Sequence, residues 1–100
     1  MRVLRFSVDE QKLTYHKDKP ITVGTVGYLQ AAFDLTPEWD GLRIAAQFFT
    51  VDNREHAVVL KDGKCMVPAA ATQGRFFKVS LLGVGQYILT TNKVTIRQEV

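Results

Sequence analysis

Cysteine occurs once in the chain, at Cys65, so no internal disulfide can form. A metal site built on that thiol would need further ligands at short spacing, and His16 and His56 stand too far off in sequence to supply them. Long apolar runs are also missing: no stretch approaches the roughly 20 apolar residues of a membrane-spanning helix. The opening segment MRVLRFSVDE alternates and soon turns acidic, unlike a secretory signal. The expectation is a chain kept in a reducing cytosol, or one that leaves it by a non-secretory route. Clustered charge of one sign is lacking too. Thirteen Lys and Arg against 10 acidic residues give a formal charge of +3, but the basic residues are scattered rather than grouped on one stretch. Nucleic acid and membrane surfaces are therefore not expected partners.

What the sequence does have is a period of two. Leu4, Phe6 and Val8 alternate with Arg5 and Ser7, and the same pattern recurs over 28–35, 42–51 and 75–82. Shorter candidates lie at 12–15, 55–61, 64–67 and 93–97. Asp62-Gly63 between two such runs is a strong hairpin signal, and Pro68 ends the run that follows. Only 67–72, with three consecutive alanines, leans towards helix, and it is too short to stand alone. Strands at about ten-residue spacing with Gly, Pro, Asp and Asn turns predict an all-β protein. The expected form is an immunoglobulin-like antiparallel β-sandwich of seven to eight short strands, filling 1–100 as a single domain.

Catalytic constellations are poorly supported. Cys65, His56 and Asp52 or Asp62 supply the letters of a nucleophilic triad, but KDGKCMVP is a hairpin and strand, not a nucleophile elbow. Glu38 and Asp40 flank Trp39 in a way that suggests a sugar-hydrolysing pair, yet Pro37, Asp40 and Gly41 also suit a tight turn. VGTVG lacks the spacing and the following helix of a phosphate-binding loop. No catalytic, cofactor or metal residue is expected, and no cofactor. The pivotal residue is Trp39. With Asp40 and Gly41 it is expected to form a structural turn and a core plug closing one end of the sandwich; the alternative is a platform for a sugar. Tyr28, Phe49 and Phe76 fall opposite the main apolar stripe of their strands and are the candidate interaction surface.

The order of the pieces carries a resemblance. FSVDEQKLT ends the first strand pair, PEWDGLRIAAQF leads into a strand, CMVP closes a hairpin, and GRFFKVSLLGV and ILTTNKVTIRQ follow. This order resembles the N-terminal β-sandwich modules of tailed-bacteriophage and prophage virion proteins, such as baseplate upper proteins and related tail or head-fibre proteins. The likeness spans nearly the whole chain and is most specific at Trp39-Asp40-Gly41 with Phe48, at Cys65 to Pro68, and at Thr91-Asn92. The loop VPAAATQGR departs from it, because a charged or aromatic residue commonly follows that proline. The resemblance implies a non-enzymatic anchor for a fibre or receptor-binding device, located in the virion and assembled in the host cytoplasm. It also implies other virion proteins as partners and a homo-oligomer in the particle. The fibre segment that often follows such modules would lie beyond Val100. A host-surface glycan belongs to the alternative reading, a small carbohydrate-binding module using Trp39.

Overall fold

A computed structural model describes residues 1–100. Ten strands form, in chain order: β1 (Arg2–Asp9), β2 (Lys12–His16), β3 (Ile21–Thr22), β4 (Leu29–Leu35), β5 (Arg43–Phe49), β6 (Glu55–Val59), β7 (Lys64–Met66), β8 (Phe76–Val84), β9 (Ile88–Thr90) and β10 (Val94–Glu99). Two 3₁₀ turns, Pro37–Trp39 and Ala69–Gln73, interrupt them. The protein is all-β, with two sheets. The first has the order β2-β1-β4-β7; the second runs β3-β10-β8-β5-β6, with β9 beside β8.

Alternation puts the core between the sheets. From β1, Leu4, Phe6 and Val8 are buried, and from β8, Phe77, Val79 and Leu81 are fully so. Phe6 stacks on Phe33 of β4 at 4.7 Å and meets Tyr15 of β2 at 5.0 Å. Phe48 and Phe77 meet across β5 and β8 at 6.2 Å. Ala31 and Ala46, both fully buried, fill the narrow positions where a larger side chain would hold the sheets apart.

The wiring differs from the expected all-antiparallel form in two places. β1 pairs with β4 in parallel from Arg2↔Leu29 to Val8↔Leu35, and β10 pairs with β3 in parallel. The cause lies in the 17–28 segment. After β2 the chain crosses to the second sheet as β3, and it returns at the end where β1 starts. There the Arg2 amide donates to the Tyr28 carbonyl, and the Arg2 guanidinium donates to the carbonyls of Lys19 and Pro20. β4 must then run alongside β1 in the same direction.

Two short strands lie outside the expected seven or eight. β3 has two residues, and β9 folds back on β8 beyond Gly83, where the glycines suggested that the strand had ended. Gly83 lies within β8 instead: a Cβ there would come within 2.9 Å of the Trp39 ring. The Asp62-Gly63 hairpin has the geometry its residues favour. Both take positive φ (53° and 74°), and Lys61 and Lys64 bridge around them. Ala69–Gln73 forms a 3₁₀ turn that buries Ala71 and Thr72, with Pro68 as its N-cap.

Cys65 faces inward opposite Ala31, and burial pushes its thiol up from 9.0 to about 12. Burial likewise raises Tyr15 above its ordinary 10.0. Both groups hold their protons more tightly when folded, so their contribution is complete below the unfolded values and is lost as pH rises through the folded ones. Stability is therefore expected to fall between pH 9 and 12. Urea titrations at a series of pH values check this, and Cys65→Ala should lessen the decline. A midpoint constant over that range would count against a buried thiol.

Candidate interaction surface

Trp39 lies at the end of the sandwich and is 2% exposed. Thr36 precedes the 3₁₀ turn, Pro37 supplies the fixed φ of its first residue, and the Asp40 amide closes it on the Pro37 carbonyl at 3.0 Å. Gly41 then takes φ +77°, turning the chain into β5. The indole N–H donates to the Glu10 carbonyl at 2.6 Å, so the ring is buried with its polar atom satisfied. Its face rests on Gly83, and Leu42 packs beside it against Gly83 and Gly85. Tyr87 donates its hydroxyl to the Glu38 carbonyl at 2.5 Å, and the Glu10 amide donates to Thr36 Oγ1 at 2.9 Å. Three connections are thus tied around one ring. A sugar platform requires an open aromatic face; Trp39 offers none, while Glu38 and Asp40 are exposed turn residues.

Tyr28, Phe49 and Phe76 do not form one surface. Tyr28 is half exposed in the loop before β4, beside the start of β1. Phe49 corrects the sequence reading: it is 9% exposed on the outer face of the second sheet, roofed by the Lys93 ammonium 4.0 Å above its ring. The cause is a long side chain reaching over from the segment before β10, which strand alternation alone does not reveal. Phe76 is partly buried on the same face, next to Arg97 in register.

The exposed apolar surface lies further along that face. Val59 on β6, Ala45 on β5 and Leu82 on β8 are cross-strand partners, and Val84 pairs with Ile88 of β9 one row on. Val59, Val84 and Ile88 are 52%, 47% and 67% exposed. Sequence reasoning missed Val84 and Ile88 because GVGQY reads as a strand end. No residue pattern in the sequence signals that the Trp39 ring lies against Gly83.

Elsewhere the polar groups are mainly structural. On the outer face of the first sheet His16 Nε2 lies 2.9 Å from Ser7 Oγ, with Asp34 beside Ser7 in register. An acyl-transfer site also needs free N–H donors for an oxyanion. β1 is paired on both sides, by β2 and β4, so the pair is a cross-strand hydrogen bond in a regular sheet. A groove of about 350 Å³ runs between the 17–21 loop and β10, with Lys17, Lys19 and Arg97 beside Asp18 and Glu99. Its charges of both signs select no ligand class. Asn92 lies in the linking segment before β10, and its side chain accepts from the Leu13 amide at 2.7 Å and donates to the Leu13 carbonyl at 3.1 Å. It acts as one rung of a strand along β2.

No protein-family model, curated protein or solved structure matches the chain.

Gly83→Ala is expected to destabilise the domain by about 1–3 kcal/mol, because the added methyl must displace the Trp39 ring or Leu42. Urea denaturation measures the loss. Trp39 emission, blue-shifted in the parent, should move to longer wavelength in the variant.

Proposed function

We propose that the domain is a non-enzymatic structural and attachment module of a tailed-phage virion. In this reading it anchors a tail-tip or baseplate device, or a head fibre, through protein–protein contacts. The observation that carries the reading is an apolar strip on the second sheet's outer face, where Val59, Ala45 and Leu82 adjoin across β6, β5 and β8 and Val84 and Ile88 lie one row on, bordered by Arg43 and Thr90. Solvent-facing sheet surfaces normally alternate to polar residues, and a contiguous apolar area fits one to be covered in an assembly. The order of sequence elements supplies the virion context. The immunoglobulin-like label belongs to the same proposal, for two facing sheets with an indole between them, although the parallel β1–β4 ladder departs from that wiring. Other virion proteins are the proposed partners, and the virion, assembled in the host cytoplasm, is the proposed location.

Particles assembled with a tagged copy of the chain test the proposal. The tag should co-purify with intact particles. Val84→Glu with Ile88→Glu should reduce incorporation at least about tenfold, since charges buried at an interface core are costly. The thermal melt of the isolated domain should be unchanged, because both positions face solvent. Absence of the parent chain from purified particles would sink the reading.

A further inference from the structure

We infer that the chain forms a twofold dimer in which β6 pairs edge to edge with β6 of a second copy. The backbone of β6 has one side committed. The Leu60 amide donates to the Ile44 carbonyl at 2.9 Å and the Thr50 amide to the Arg54 carbonyl at 3.0 Å. Residues 54, 56, 58 and 60 therefore turn their amides and carbonyls to β5, and those of Glu55, Ala57 and Val59 point outward. All three of these residues are exposed.

From Glu55 to Val59 this edge is unguarded, up to Lys61, whose outward amide and carbonyl bond to Lys64 in the hairpin; the other edges are covered or short. On β2, Asn92 already occupies the outward amide and carbonyl of Leu13. β3 and β7 are two and three residues long, and β9 is three. Between Glu55 and Lys61, by contrast, HAVVL contains no proline, lysine or carboxylate. Such a segment on an open edge is a template for strand addition.

The charges select a second copy as the added strand. In an antiparallel pairing centred on Ala57, Glu55 lies opposite the partner's Val59, His56 opposite the partner's Val58, and Arg54 opposite the partner's Leu60. No like charges face each other. Every free amide and carbonyl of Glu55, Ala57 and Val59 gains a partner. Lys61 lies two residues beyond Val59, so Glu55 meets the partner's Lys61 on the diagonal, at roughly 7–8 Å between backbones and within reach of two long side chains. The twofold axis makes that pair twice. Neither side chain is otherwise engaged in an ion pair; Glu55 accepts a hydrogen bond from the Gln47 amide at 3.5 Å. Other registers are worse: centring on Glu55 sets two carboxylates face to face, centring on Val58 needs the outward amide and carbonyl of Lys61, which already bond to Lys64, and centring on Val59 drives the strand into the Asp62-Gly63 turn. The pairing stands apart from the virion reading and fails separately from it, since incorporation into particles needs no dimer in free solution.

Sedimentation equilibrium of the full chain over a wide concentration range tests the pairing. A reversible monomer–dimer equilibrium is expected. Ala57→Pro removes an amide that points away from β5, so the fold and melting curve should be kept while the dimer is lost. Glu55→Lys should weaken the dimer about tenfold, and adding Lys61→Glu should restore it, because two attractive pairs become repulsive and then attractive again. A chain that stays monomeric at every concentration overturns the inference. So does a dimer indifferent to the charge reversal, which leaves the backbone intact and decides the matter even where Ala57→Pro disturbs folding.

Discussion

The indole of Trp39 occupies the end of the sandwich where three connections meet, and its placement depends on two neighbours that accept it. Gly83 gives up a side chain so that the ring can lie on β8, and the Glu10 carbonyl takes the indole proton at 2.6 Å. Burying such a ring is worth on the order of 2–3 kcal/mol, a large share of what a small domain has in reserve. Without it, Leu42 and the inner side of β8 at Gly83 would border an open end. The β1–β2 turn, the 36–42 excursion and the β8–β9 turn also lose their common anchor in that case, because each bonds to the ring or to its 3₁₀ turn.

Closing one end in this way fixes where the domain can meet other chains. The first sheet has a polar outer face, with Arg5, Ser7, His16 and Asp34 in register across three strands. The second sheet is divided. Towards Phe76 and Arg97 its outer face is charged, and Lys93 covers Phe49; towards the Trp39 end Leu82, Val84 and Ile88 form an apolar strip bordered by Arg43 and Thr90. The extension of β8 past Gly83 is what brings Val84 and Ile88 onto this face. The same strand thus carries the ring on its inner side at Gly83 and the exposed Val84 on its outer side.

Much of the strand framework was legible in the sequence because alternation reports directly on which face is buried. Leu4, Phe6 and Val8, or Phe77, Val79 and Leu81, leave only one register for a core strand. Asp62-Gly63 was legible for a different reason: few residue pairs accept two positive φ angles in succession. The parallel β1–β4 ladder was not, since alternation is blind to strand direction, and direction here is set by Arg2 capping the distant carbonyls of Lys19 and Pro20. Phe49 was misplaced for a related reason. Its face is open by strand geometry and closed by a lysine remote in sequence. Phe49 and Phe76 lie on the outer face of the second sheet, away from the exposed Val59, Val84 and Ile88.

Edge management separates the two sheets as strongly as face polarity does. Asn92 shows how little is needed to guard an edge, since one amide side chain reproduces a ladder rung at Leu13. An equivalent residue beside Ala57 would have satisfied β6 at no cost in core packing. None is there, and after Glu55 the exposed side chains at that edge, Ala57 and Val59, are apolar rather than bulky or cationic. The bare edge of β6 and the apolar strip share Val59, which presents its backbone to one and its side chain to the other. Any chain that covers the face from the β6 side must therefore also meet the edge, and strand pairing and apolar burial would reinforce each other at that one residue.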